Sequence, residues 1–264
     1  MKCFAAADRS VDRLIRLLKI VHEGFWLGWL NSDELNAVTS EHFDHSQFYS
    51  SNSHNRIGLF DWEQEALSRF FRPGSHVLVA GAGAGREVLA LRKSGFEAEG
   101  FECSPALVEA SQRLFDELGE SNYVVYCPPD SVPPGSPLYN ALIVGWGAYT
   151  HIPTRARRIR FLQAFGERAF GNAPLLLSFF TRKTGSRDDV LVYRLARLCS
   201  LFSPARKASL DIGDRISYAR YIHSFTEQEL AEELKAAGVR LAQFVDKGEF
   251  GYAVGIPEEA PDRS

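Results

Sequence analysis

The stretch VLVAGAGAGREVLAL, residues 77–91, constrains this chain more than any other. Val77 to Ala80 form an apolar run of strand length. Three alternate glycines follow, Gly81, Gly83 and Gly85, and then a helix-like segment from Arg86 to Leu91. A strand that turns through glycine directly into a helix brings backbone N–H groups close to a ligand, and nucleotides are commonly held this way.

From residue 76 onward, strand and helix patterns alternate. Strands are expected at His76–Ala80, Glu97–Phe101, Tyr123–Cys127, Asn140–Val144 and Pro174–Phe180, with helices at about 85–94, 105–118 and 154–170. That order predicts a parallel sheet with helices on both faces. After a strand candidate at Ala219–His223 comes a helix, Thr226–Ala237. Arg240–Asp246 and Tyr252–Ile256 then follow with only a short turn between them. They are too close for a helical crossover, so an antiparallel hairpin at or near the sheet edge is expected.

Ahead of the sheet, apolar residues at 11, 14, 15, 18, 21, 25 and 29 have helical spacing, which predicts a helix packed on its own domain. A second helix is expected to start at the Asn31-Ser32-Asp33 capping cluster. Residues 49–67 are polar and turn-prone before turning helical near Phe60, as in a loop that closes over a site.

Composition narrows the function classes. A chain of 264 residues buries a substantial core as one elaborated domain. The formal net charge of −3 gives no reason to expect a nucleic-acid partner. Cys3, Cys103, Cys127 and Cys199 contain no C-x-x-C pair, which fits free thiols in a reducing cytosol. Charges interrupt the first apolar stretch, and no uncharged run approaches the roughly 20 residues of a membrane span. A cytoplasmic protein without stable membrane insertion is expected.

The dinucleotide fingerprint is G-x-G-x-x-G/A. In this chain the third glycine comes one position early and Arg86 takes the sixth slot, which leans against NAD. Glu102 ends the second strand, where a carboxylate can accept both ribose hydroxyls of NAD or of S-adenosylmethionine. Arg86 is expected either to salt-bridge within the fold or to reach the cleft.

Taken in order, these segments resemble the class I S-adenosylmethionine-dependent methyltransferases over most of 72–256. VLVAGAGAGREVLAL is similar to that family's first motif, and GFECSPALVEAS to its second strand with the acidic end. HSFTEQELAEELKAAGV resembles a segment common in small-molecule members, and the antiparallel last strand is typical of the family and not of NAD domains. The resemblance implies an α/β, Rossmann-like doubly wound sheet, mostly parallel with an antiparallel last strand, plus an N-terminal helical lid. It divides the chain into N-terminal helices and lid loop (1–71), cofactor-binding core (72–181), helical insert (182–218), end of the core sheet (219–257) and a disordered tail (258–264).

By the same resemblance, Gly81, Ala82, Gly83 and Gly85 form the turn beside the methionine part of S-adenosyl-L-methionine. Glu102 holds the ribose, Cys103 packs beside the adenine, and Asp130 with Ser131 reaches the adenine edge. Gly145 and Trp146 line the methyl-transfer site.

Three histidines are candidates to assist the transfer as a base: His151 first, then His223 and His54. Tyr49, Arg56 and Tyr149 are candidate acceptor contacts, Arg56 for an anion. The fourth strand ends in GWGAY, not in the [DN]-P-P-[YF] of base-modifying members, and residues 140–153 hold no Asp or Glu for a metal. The insert at 182–210 carries five arginines and two lysines against two aspartates. It either attracts an anion or is a solvated helix face. The expected activity is metal-free methyl transfer to a small molecule, at oxygen rather than nitrogen. A non-catalytic sensor of the cofactor or a related nucleoside is the alternative, with an NAD-linked oxidoreductase third.

Overall fold

The computed structural model describes residues 2–136, 139–203 and 209–258, with side chains from Asp8 onward. Five helices precede the sheet: α1 (Lys2–Trp29), α2 (Ser32–Asp44), α3 (Gln47–Ser50), α4 (Asn52–Asn55) and α5 (Asp61–Phe70). Then β1 (His76–Ala80), α6 (Arg86–Lys93), β2 (Glu97–Glu102), α7 (Pro105–Glu117), β3 (Val124–Tyr126) and β4 (Ala141–Val144) alternate. A single 3₁₀ turn, Ala148–His151, leads to α8 (Arg155–Gly166), β5 (Leu175–Thr181) and α9 (Arg187–Ser200). The chain closes with β6 (Asp214–Ser217), β7 (Arg220–Phe225), α10 (Glu227–Ala236), β8 (Val239–Asp246) and β9 (Phe250–Pro257).

β3, β2, β1, β4 and β5 lie side by side and parallel. β9 runs antiparallel beside β5 from Leu175 to Phe180, and β8 pairs with the outer side of β9. The mostly parallel, doubly wound sheet and its antiparallel last strand are therefore as the sequence predicts. Buried on both faces, the strands carry apolar side chains at successive positions. Leu78, Ala80, Leu142 and Val144 pack with Phe161, Phe165, Leu230 and Leu234 of α8 and α10. Val77, Val79 and Ile143 pack on the opposite face with Trp62, Val88, Leu89 and Leu114 of α5, α6 and α7. The order of connection reverses between β1 and β4, and their carboxyl ends open the crevice where α/β sheets bind ligands.

Two expectations change. The first helix forms, but the apolar set chosen to seat it does not: Val11, Leu14, Ile15, Leu18, Val21, Phe25 and Trp29 all stay exposed. The buried face is Ile20, Glu23, Gly24, Leu27 and Gly28. Gly24 and Gly28 let α1 approach α9 so closely that a Cβ at Gly28 would stand 2.3 Å from the Ala196 carbonyl oxygen. Backbone proximity, which hydrophobic periodicity does not report, selects that face.

The second change lies in the insert. α9 accounts for its helical part, but β6 and β7 form an antiparallel hairpin across the expected boundary at 218/219. At its tip Tyr218 and Ala219 take φ of 51° and 55°. β7 also meets β5 in parallel at Phe180 and Thr181, so the hairpin extends the sheet only at its ligand-binding end. Residues 204–208 of the insert and 259–264 of the tail lie outside the described residues. Among the described residues no helix is long and apolar enough to cross a membrane.

Candidate active site

The cleft above β1 and β4 is built by the glycine turn, the ends of β2 and β4, the 128–131 loop and α2 as its cover. Its empty space, with the open mouth included, is about 1210 Å³.

Gly81 (φ 63°) ends β1, and a Cβ there would stand 2.5 Å from Ala148 Cβ. Gly83 (φ 55°) would present its Cβ to space empty within 4 Å, so the backbone is bare where a ligand can lie against it. Gly85 serves packing instead: its missing side chain admits the Phe115 ring and the Ser111 hydroxyl, and it does not line the cleft.

Glu102 is the anchor of the turn. Its Oε2 accepts from Gly83 N–H at 2.9 Å, while Oε1 accepts from Cys103 N–H at 2.7 Å and Ser104 N–H at 2.9 Å. These three bonds leave acceptor capacity on a carboxylate that offers about four lone-pair positions. Beside it, burial first and then Glu102 push the Cys103 thiol well above its ordinary value, so it stays protonated as a packing group. Asp130 Oδ2 accepts from Asn36 Nδ2 at 2.7 Å and Arg157 Nη1 at 3.0 Å. Among the described residues Oδ1 remains without a partner.

Arg86 resolves to the interior. It donates to Glu63 and Glu87, to the Gly58 carbonyl, and lies 4.0 Å over the Phe60 ring, clamping α5 to α6 behind the turn. Trp146 lines the cleft, with its backbone N–H on Glu87 Oε1 and its ring against Phe60, Trp62 and Phe250. Gly145 supports the wall without lining it; a Cβ there would come 2.6 Å from the Gly81 carbonyl oxygen.

α2 closes the cleft from above. It starts from a capping box in which Asn31 accepts from Asp33 and Glu34 N–H while Glu34 accepts from Asn31 N–H. Asn36, Thr39, Ser40 and Phe43 face the cleft. Asn36 reaches Asp130, Thr39 Oγ1 accepts from Tyr221 N–H, and Asp44 at the helix end accepts from Ser104 Oγ. These four positions follow the spacing i, i+3, i+4, i+7, a stripe of small polar residues ending in an aromatic. That signal is present in the sequence and is missing from the expected site residues.

The candidate histidines separate. His151 lines the cleft, half-buried, with Nδ1 2.8 Å from the Tyr221 carbonyl oxygen. A carbonyl only accepts, so Nδ1 carries the proton and Nε2 the lone pair. Burial pushes the His151 pKa down to about 4; the Tyr221 carbonyl opposes this, and Arg220 and His42 add to it. His54 lines the cleft beside Tyr49 and Phe48, its pKa lowered first by burial and next by Arg86.

Three expected cleft residues are placed elsewhere. His223 is buried in the hairpin, its Nδ1 2.7 Å from Oδ1 of Asp214, its register partner on β6. Burial raises the Asp214 pKa, but the hydrogen bond and charge of His223, with Asp211 and Tyr221 also donating, bring it below the usual range. Tyr149 points inward from the 3₁₀ turn and donates to Glu233 at 2.6 Å. Arg56 pairs with Glu117 at 2.8 Å on the surface. Tyr49, Ala82, Gly83, Cys103, Asp130 and Ser131 do line the cleft, and Phe180 and Arg220 join them from strands β5 and β7.

No family model and no curated protein sequence matches this chain. Solved structures match in fold. The 1,6-didemethyltoxoflavin N1-methyltransferase of Burkholderia thailandensis, with 1,6-didemethyltoxoflavin and S-adenosylhomocysteine bound, shares 17% identity at a TM-score of 0.60. That match covers 87% of this chain and 92% of the other. The CcbJ methyltransferase of Streptomyces caelestis shares 13% at 0.59, covering 84% and 99%. Magnesium protoporphyrin IX methyltransferase of Synechocystis, with S-adenosylhomocysteine bound, shares 16% at 0.53, also covering 84% and 99%. Strand order, antiparallel last strand and these likenesses agree: this chain has the Rossmann-like fold of the class I S-adenosylmethionine-dependent methyltransferases.

Proposed function

We propose that this chain transfers the methyl group of S-adenosylmethionine to an oxygen atom of a small-molecule acceptor. The observation that carries the reading is Glu102 at the end of β2, bound to Gly83 N–H of the turn that follows β1, beside the β1–β4 crevice. The cofactor fits the donor set. Bare backbone at Gly83 receives the methionine part, the remaining acceptor position of Glu102 a ribose hydroxyl, and Oδ1 of Asp130 the adenine amino group. Two of the similar structures hold S-adenosylhomocysteine, which supports the same assignment.

S-adenosylmethionine supplies an electrophilic methyl carbon on a sulfonium. The chain's main task is therefore alignment, which contributes up to about 7–11 kcal/mol in the best intramolecular cases. His151 adds a base. Held by Tyr221 in the tautomer with Nε2 free, it takes the acceptor's proton. The acceptor oxygen forms its bond to the methyl carbon as the carbon–sulfur bond breaks, the electron pair staying on sulfur. An acceptor hydroxyl needs such a base, whereas a neutral amine attacks without one; His151 thus favours oxygen.

His151→Ala is expected to lower kcat on the order of 100-fold, the lower end for general-base groups, with S-adenosylhomocysteine affinity unchanged. The neutral form is the working one, so kcat/KM holds as pH falls through 6.5 and declines only towards about 4. A pH profile breaking near 6.5 in wild type and not in the variant would place His151 in water instead. Incubation with methyl-labelled S-adenosylmethionine and a metabolite extract tests the activity itself. Label is expected in a small, extractable product; tight cofactor binding with no transfer would favour a sensor.

A further inference from the structure

The charges that line the cleft are nearly all matched. Glu87 meets Arg86, Glu102 takes three backbone N–H groups, and Asp130 meets Arg157. Arg220 is the exception. Among the described residues no carboxylate lies within 4.0 Å of its guanidinium, and its Nε is shielded from solvent without a hydrogen-bond partner. Buried polar groups are nearly always paired, so an orphaned N–H in a cleft wall marks a place for a ligand acceptor.

Its position says which ligand. Arg220 opens β7 next to Tyr221, whose carbonyl holds His151, and its charge acts on both His151 and His42. The glycine turn belongs to β1, three places away along the order β1-β4-β5-β7. Arg220 therefore serves the acceptor end of the cleft, beside the base. A guanidinium presents a planar fork that matches a carboxylate in two parallel hydrogen bonds. One unpaired cation facing a wall that already holds three carboxylates balances one negative charge, not the two of a phosphate monoester.

We infer that the methyl acceptor is a hydroxy acid: Arg220 binds its carboxylate and thereby presents its hydroxyl to Nε2 of His151. The inference rests on the methyltransferase reading of the same cleft. It makes Arg220 the residue that selects acids over their neutral analogues.

Calorimetric titration of the chain loaded with S-adenosylhomocysteine tests it, using salicylate and lactate, their neutral amides, and phenyl phosphate. At least one of the acids is expected to bind, with its amide and phenyl phosphate about 10- to 100-fold weaker, the range for a charged hydrogen bond. Arg220→Gln is expected to remove that preference and to weaken the acid by the same factor. S-adenosylhomocysteine affinity should not change in the variant, which also shows that it is folded. Equal binding of acid and amide, a preference for phenyl phosphate, or an acid unaffected by Arg220→Gln would overturn the inference. So would absence of acid binding to the loaded chain, although the methyltransferase reading would then stand. Weaker S-adenosylhomocysteine binding in Arg220→Gln would overturn it differently, by assigning Arg220 to the cofactor's own carboxylate. If S-adenosylhomocysteine fails to bind the wild-type chain, the methyltransferase reading falls first and this inference with it.

Discussion

Glu102→Ala is expected to weaken S-adenosylhomocysteine binding by about 10- to 100-fold. One hydrogen bond from a ribose hydroxyl to a carboxylate contributes about 1.5–3 kcal/mol, and every 1.4 kcal/mol is about tenfold in affinity. The substitution also releases the N–H groups of Gly83, Cys103 and Ser104, so the turn loses its anchor as well as the ligand its partner. Glu102→Gln keeps the shape and one acceptor oxygen, and should fall between alanine and wild type. Calorimetry on the three proteins orders them. A loss below about tenfold in Glu102→Ala would mean that the ribose sits elsewhere.

Glu233→Ala is expected to destabilise the fold by about 3–5 kcal/mol, the cost of breaking a buried ion pair by removing one partner. Glu233 and Arg158 are each 1% exposed and joined through three short contacts, with Arg158 Nη2 at 2.7 Å. Without the carboxylate the Tyr149 hydroxyl loses its acceptor, and Arg158 keeps the Ile152 carbonyl at 3.4 Å and Asp211 at 3.7 Å. For a chain of this size that loss lowers Tm by about 6–20 °C. Arg16→Ala is the contrast. Arg16 pairs with Asp188 but is 60% exposed, and ion pairs held in water add little to stability. Thermal denaturation of both variants should separate them clearly; similar Tm losses would show that the buried network is not what holds α8, α10 and the 3₁₀ turn together.

The parts of the fold that were legible are those where local pattern and tertiary role coincide. β1, the glycine turn and α6 are one continuous signal, and the 239–257 hairpin follows from two apolar runs with no room for a crossover. The face of α1 was not legible, because Gly24 and Gly28 bury it through close backbone approach while the larger side chains remain outside. Nor was the β6–β7 hairpin, whose tip places Tyr218 and Ala219 at positive φ, where Asn-Gly is the usual signal. Missing that hairpin displaced His223 as well. Its partner Asp214 lies in a segment read as helical insert, so the buried pair that occupies His223 could not be foreseen. Arg220 escaped for the same reason: only the register of β7 beside β5 brings it to the cleft. The place of His151 in the cleft was legible because it follows the end of a strand whose carboxyl end faces the crevice, a relation that topology alone preserves.

Equilibrium titration of the wild-type chain with S-adenosylhomocysteine and with NAD tests the central claim most directly. Saturable binding of S-adenosylhomocysteine, with none of NAD at the same concentrations, is the predicted result. Binding of NAD with no binding of S-adenosylhomocysteine would contradict it.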